Sequence, residues 1–167
     1  MPGALMWRDS TIPAVSATHV SYEARGWGVG EIWLDGDRLL HHELPRPGVE
    51  HRGKGDRLAE RFVRYFAGVA DDFLDVALEL DGSTAFELEL TATLRRIGRG
   101  ETVTYGELAA LAGRPNAQRA AGSFCARNRF SIVVPCHRVV AADGLGSYGS
   151  LGVEYKRRLL ELEGVAV

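Results

Sequence analysis

Residues 102–128 read TVTYGELAALAGRPNAQRAAGSFCARN. An apolar-periodic run stops at Gly113, a tight Gly-Arg-Pro-Asn turn follows, and Pro115-Asn116 opens a second short run. Glycine favours helix ends and proline helix starts, so the spacing predicts two short helices joined by a turn. Such a pair is either an ordinary αα-hairpin or a helix-turn-helix. The second helix carries arginine, and its run Ala120-Ala121-Gly122-Ser123 gives a thin face that can approach another surface closely.

Working outward, the chain from residue 84 is helical in texture. TAFELELTATLRRIG puts Phe86, Leu90, Leu94 and Ile97 at helical spacing with Gly98 as stop, and VEYKRRLLELEG is an amphipathic helix ending at Gly164. GLGSYGSLG, before that last helix, reads as a mobile loop. The first third is β-rich: HVSYEA and GVGEIWLDGDRLLHHEL alternate around a DGD turn. DRLAERFVRYFAG then predicts a helix capped by Asp56, with Leu58, Phe62, Phe66 and Val63 on its apolar face, and FLDVALEL predicts a strand. The expected class is α+β: a β-rich N-terminal domain with a helix over residues 1–80, then a mostly helical C-terminal domain over 84–167 containing the helix-turn-helix candidate.

Hydrophobic content of 46% with 25% charged residues is ordinary for a soluble globular protein. No apolar run approaches the roughly 20 residues that cross a bilayer, and MPGALMWRDSTIPA lacks the pattern of a leader, so the expected location is cytoplasmic. Two cysteines, Cys125 and Cys136, are too few for a disulfide framework; they make either one local bridge or two free thiols, and a reducing compartment favours the thiols. The N-terminal half has histidines but no cysteine, which argues against a structural zinc site.

The net charge of −2 conceals an asymmetry. Between residues 95 and 138, Arg95, Arg96, Arg99, Arg114, Arg119, Arg127, Arg129 and Arg138 face only Glu101 and Glu107. Arginine suits forked contacts with phosphate, so this segment is either a nucleic-acid footprint or a solvated arginine-rich face.

IVVPCHRVV, residues 132–140, carries the chemistry. A thiolate nucleophile needs a proton acceptor, a nearby cation or a helix N-terminus, and His137 follows Cys136 directly. Neighbours in an extended segment face opposite ways, so the pair can communicate only across a turn or through water; Pro135 favours a rigid bend. Glu163 or Glu161 could reach back to orient the imidazole. Taken alone, a Cys-His dipeptide can equally be incidental, and Cys125 beside Phe124 a packed small residue.

PCHRVV, preceded by NRFSIVV and followed by GLGSYG, closely resembles the active-site segment of the O6-alkylguanine-DNA alkyltransferases, the methylated-DNA–protein-cysteine methyltransferases. The resemblance spans about residues 84–164 and includes GETVTYGELAALAGRPNAQRAAGS and KRRLLELEG in the same order. It implies direct-reversal repair of double-stranded DNA: after base flipping, Cys136 takes the alkyl group from O6-alkylguanine irreversibly, with O4-methylthymine as a second candidate substrate. His137 would act as base through a water with Glu163 behind it, and Tyr105 would crowd the phosphate and assist the leaving guanine. Arg119 would fill the space of the flipped base, with Ala120, Gly122, Ser123 and Arg127 also on the DNA side. Asn128, Cys125, Val139, Tyr148, Gly149, Ser150 and Lys156 would form or support the guanine pocket. No cofactor or metal, no membrane contact and a monomer in solution are implied.

The chain departs from the family pattern where Phe86-Glu87-Leu88-Glu89-Leu90-Thr91 lacks a tryptophan and where Ile97-Gly98-Arg99-Gly100 lacks a proline. Cys125 stands where the family usually has a larger apolar residue. Three rivals predict other outcomes: an alkyltransferase-like protein that binds without transfer, a helix-turn-helix regulator, and a cysteine hydrolase. The first usually lacks the cysteine that Cys136 supplies, and AQRAAGSFCA is too bare to read many major-groove edges.

Overall fold

The computed structural model describes residues 17–53 and 55–167; residues 1–16, which include the stretch read as lacking a leader, lie outside it. Three antiparallel strands, β1 (Thr18–Ala24), β2 (Gly28–Asp35) and β3 (Arg38–Arg46), form a meander with β2 and β3 joined at the expected Asp-Gly-Asp turn. Gly36 there takes φ 60°, a left-handed value that glycine adopts without strain. Gly30 admits the ring of Tyr22 from the paired strand, which a Cβ at that position would strike.

Helix α1 (Arg57–Phe66) starts where Asp56 accepts from the backbone of Leu58 and Ala59, as its residue type predicts. Its buried face is Ala59, Phe62, Tyr65 and Phe66, while Val63 is exposed: the apolar stripe runs through the tyrosine, whose hydroxyl has a buried acceptor. The strand expected over FLDVALEL shrinks to β4 (Ala77–Leu78), parallel to β3. Phe73 is left-handed at φ 52°, and Asp71 and Asp72 accept from the amides of Phe73 and Leu74, so side chains hold this backbone as a turn.

Four helices follow. Helix α2 (Ala85–Arg95) and α3 (Tyr105–Leu111) each begin with a reciprocal capping box, Thr84 with Glu87 and Thr104 with Glu107. Helix α4 (Gln118–Ala126) packs on α3, starting later than Pro115-Asn116 because Asn116 takes φ 72° in the turn. The two-residue strands β5 (Val103–Thr104) and β6 (Val139–Val140) pair in parallel, bringing the start of α3 beside a 3₁₀ turn over Cys136–Arg138. Helix α5 (Val153–Leu162) closes the fold, and Gly164 follows it at φ 87°. This is the α+β arrangement expected.

One hydrophobic core runs from β1 and α1 through Leu90, Leu94 and Leu108 to Val133, Val134 and Leu159. Polar ties cross it. The His42 amide donates to the Arg129 carbonyl at 2.8 Å, and the Tyr155 hydroxyl reaches the Pro45 carbonyl at 2.6 Å. The loop read as mobile is likewise tied: the Gly152 amide bonds the Tyr148 carbonyl and the buried Lys156 ammonium bonds that of Ser147. No helix among the described residues is long and apolar enough to cross a membrane.

Candidate active site around Cys136

Cys136 opens the 3₁₀ turn, with Pro135 before it at φ −81° and ψ 67°. The segment is therefore a bend, and Cys136 and His137 are not the extended neighbours that alternation would make them. Upstream, Asn128 fixes the approach. Its side-chain amide donates to the Val134 carbonyl at 2.8 Å and to the Cys136 sulfur at 3.2 Å, while its oxygen accepts from the Phe130 amide. Asn128 thus ties the end of α4 to the turn that carries Cys136, across Ile132 at φ 75°.

Cys136 borders a cavity of about 340 Å³. Tyr105, Gly122, Cys125, Asn128, Tyr148, Gly149 and Ser150, all named from the sequence, line it. Val139 and Lys156 do not: Val139 is wholly buried in the core, and Lys156 is buried behind the wall with its ammonium 5.8 Å from the Tyr105 ring. Arg119, Ala120, Ser123 and Arg127 are exposed on and just after α4, with Arg127 3.5 Å from Glu87. Gly146 allows the loop to pass close to Tyr105, since a Cβ there would sit 3.2 Å from the tyrosine hydroxyl.

Behind the thiol, His137 is fully enclosed, and its Nε2 lies 3.0 Å from Glu163 Oε1. Arg138 grips the same carboxylate with two bonds, Nε to Oε1 at 2.9 Å and Nη2 to Oε2 at 2.7 Å, and its Nη1 donates to the Ile97 carbonyl. The Tyr65 hydroxyl donates to Oε2 at 2.8 Å. Of the two candidate glutamates, Glu163 is therefore the partner. Burial alone would push its carboxyl up, but the bonds from His137 and Arg138 outweigh it and hold the group well below the usual carboxylate range. His137 is pushed below its ordinary value by burial, against the pull of Glu163, so the imidazole is neutral at pH 7. Neither ring nitrogen makes a well-aligned hydrogen bond among the described residues; the 3.0 Å contact with Glu163 favours the hydrogen on Nε2, which would leave the Nδ1 lone pair free.

Burial also raises the Cys136 thiol, a rise restrained by the Asn128 amide, the Lys156 ammonium and the Tyr148 hydroxyl. The sulfur is thus a thiol at rest, and its nucleophilic form has to be generated on demand by a base. Cys125 is likewise disfavoured as a thiolate, its pKa rising by desolvation and by the neighbouring Cys136. Both cysteines are free.

The arginine cluster divides. Arg138 is buried against Glu163, Arg95 holds the carbonyls of Phe73, Leu74 and Val76, Arg99 those of Gly68 and Leu162, and Arg129 that of Glu79. Only Arg96, Arg114, Arg119 and Arg127 of the eight are exposed. Half of the expected footprint is internal scaffolding.

A family model for the DNA binding domain of 6-O-methylguanine DNA methyltransferase matches residues 85–165. A methylated-DNA–protein-cysteine methyltransferase of Haemophilus influenzae is 36% identical over 149 residues, covering 89% of this chain and 75% of the relative. The chain belongs to the methylated-DNA–protein-cysteine methyltransferase family. The crystal structure of the Mycobacterium tuberculosis O6-methylguanine methyltransferase matches at a TM-score of 0.75 and 31% identity, over 90% of this chain and 95% of that one. The M. tuberculosis protein in complex with DNA matches at 0.72 and 32%, over 87% and 92%.

In this methyltransferase the β3 residues His41, His42, Glu43, Leu44 and Arg46 form one wall of the cavity, and none of them was expected there. The strand carries a local signal of its role. His41, His42 and Leu44 are all buried, which breaks the in-out alternation of a strand with one wet face, and four of the five are titratable or charged.

Proposed function

We propose that this methyltransferase lifts O6-alkylguanine out of duplex DNA and transfers the alkyl group to its own Cys136, where it stays, one event per molecule. The observation that carries this reading is the cavity in which a single activatable thiol faces Tyr105 and Tyr148 with a neutral His137–Glu163 pair behind it. The chain is a DNA-binding repair enzyme by family, and α3 and α4 act as its helix-turn-helix.

The reacting carbon is inaccessible to an in-line nucleophile while the base is stacked, so the base leaves the helix at a cost of a few kcal/mol. Arg119, extended from the exposed face of α4, offsets part of that cost by filling the vacated space. The small residues Ala120, Gly122 and Ser123 let α4 come close to the groove. In the cavity, His137 Nδ1 takes the thiol proton through a water, the sulfur forms its bond to the alkyl carbon, and the carbon–O6 bond breaks with its electron pair passing to guanine. In net, the thiol proton replaces the alkyl group on the base. Tyr105 keeps its proton because burial raises its pKa, so it can donate to the leaving guanine. The thioether has no route to hydrolysis, hence the single turnover.

Residues 84–167 are read as the reacting domain and residues 1–80 as its support. Two free thiols accord with a cytoplasmic location, and nothing in the mechanism requires more than a monomer. Duplex DNA carrying O6-[methyl-³H]guanine tests the reading. One label per protein molecule, absent in Cys136→Ser, is the expected result; catalytic turnover, or capture of the DNA without transfer, would overturn it. A duplex with O4-methylthymine in the same assay defines the substrate range.

A further inference from the structure

We infer that Tyr65, on helix α1 of the N-terminal part, is a positioning residue for alkyl transfer: it locks the Glu163 carboxylate in the orientation that makes His137 a base. The inference rests on the proposed role of the His137–Glu163 pair. It also gives the first eighty residues a share in the chemistry, beyond their wall of the cavity.

The relationship spans 98 residues of sequence and a single 2.8 Å bond from the Tyr65 hydroxyl to Glu163 Oε2. Both side chains are buried, Tyr65 with no exposed surface at all. A carboxylate has about four acceptor sites, and here three hydrogen bonds and the 3.0 Å contact with His137 occupy them. Oε1 receives Arg138 Nε and faces His137 Nε2; Oε2 receives Arg138 Nη2 and the Tyr65 hydroxyl. Arg138 sets the plane of the group, but its fork alone leaves the second site of Oε2 empty. The phenol fills that site and balances the His137 contact on the other oxygen. With no site left over, the carboxylate has no alternative partner to turn towards, and Oε1 stays on the imidazole.

The donor is itself held firmly. Its ring meets Phe66 edge-on at 5.1 Å, and the Arg99 guanidinium lies 5.8 Å from its centroid. Arg99 in turn bonds carbonyls on both sides of the junction, Gly68 after α1 and Leu162 one residue before Glu163. The hydroxyl therefore keeps its aim as long as α1 and α5 stay docked. Burial and the adjacent carboxylate also keep the phenol protonated, so it is always a donor.

The test is Tyr65→Phe in the full chain, which keeps the ring and removes only the donor. The transfer rate from O6-methylguanine duplex is measured under single-turnover conditions across pH, beside the rate at which iodoacetamide alkylates Cys136 without DNA. We expect both rates to fall roughly tenfold at neutral pH, the scale of one hydrogen bond to a charged group. A carboxylate with one donor fewer attracts protons more strongly, both to itself and to His137, so the acidic limb of each profile should move upward. Affinity for the damaged duplex, measured in a Cys136→Ser background, should not change. In Glu163→Gln protein the further change at Tyr65 should have no effect, because the phenol acts through that carboxylate.

Unchanged rates and an unmoved acidic limb in Tyr65→Phe would overturn the inference. So would a loss of rate that persists undiminished in the Glu163→Gln background. If Tyr65→Phe does not fold, 3-fluorotyrosine incorporated at position 65, which keeps the ring and strengthens the donor, takes its place, and a downward move of the acidic limb would then be required. Failure of transfer from DNA in the parent protein, with the iodoacetamide effect intact, would refute the repair reading and leave Tyr65 its role.

Discussion

The side-chain amide of Asn128 stands 3.2 Å from the sulfur of Cys136 and 2.8 Å from the carbonyl of Val134. One group thereby joins the end of α4, the proposed DNA-facing helix, to the turn that carries the proposed nucleophile. It also offers the sulfur a hydrogen bond that grows stronger as negative charge develops there. Asn128→Ala leaves the Val134 carbonyl and the Phe130 amide without these partners. The expected cost is about 1–3 kcal/mol of stability, with a slower transfer rate at unchanged lesion affinity. Thermal melting and single-turnover kinetics check this, and a variant as fast as the parent would remove Asn128 from the chemistry.

How much of this was legible in the sequence depends on range. Local signals read well: the Asp-Gly-Asp hairpin, the Asp56 cap and the glycines after helices each act within a few residues. Thr84-x-x-Glu87 and Thr104-x-x-Glu107 were equally local and equally available as helix starts. What escaped was pairing at a distance. The charge of Arg138 counted towards DNA binding, yet the side chain is spent on a glutamate 25 residues away. Val63 and Tyr65 compete for the same helical face, and only the buried acceptor on Glu163 explains why the tyrosine wins. The shortened β4 was lost to aspartates that bond the backbone, and the β3 wall to docking against residues near 130.

Cys125 and Cys136 share a cavity but differ in chemistry. Cys125 has neither the Asn128 bond nor His137 behind it, and burial together with the neighbouring sulfur raises its pKa above that of an ordinary thiol. After reaction with alkylated duplex, peptide mass mapping is expected to find the alkyl group on Cys136 alone. Cys125→Ala should retain full transfer capacity. Label on Cys125 in the parent protein would contradict the assignment of the base.

Arg119 and Arg138 should fail in opposite ways. Arg119 is exposed, so Arg119→Ala is expected to leave melting within about 0.5 kcal/mol of the parent. Its capture of damaged duplex should weaken on the order of tenfold, because a few kcal/mol of flipping cost loses its compensation. Arg138→Ala strands a buried carboxylate and should cost about 3–5 kcal/mol of stability. Melting curves and duplex titrations separate the two, and an Arg138 variant that melts like the parent while losing only DNA affinity would restore it to the DNA face.

Stability should fall on mild acidification, through His42. This imidazole is fully buried, accepts from or donates to the Tyr22 hydroxyl at 2.6 Å, and has Nδ1 2.7 Å from the Ser131 carbonyl. The carbonyl can only accept, so Nδ1 carries the hydrogen and Nε2 accepts from the phenol, a pattern available only to the neutral ring. Desolvation brings its pKa from 6.5 down to about 4, against a partial rise from the Ser131 bond. Between those values the unfolded chain binds a proton that the folded chain refuses. The contribution is therefore complete above pH 6.5 and is lost as pH falls towards 4, amounting to about 3 kcal/mol. His137, also depressed, adds to the same trend. His42→Phe keeps the stack on Phe62 and removes the titration. It should be less stable than the parent at pH 7, yet lose stability more slowly between pH 6.5 and 4.5. Denaturant titrations across that window check the slopes, and parallel slopes for the two proteins would show that His42 is not the group being protonated.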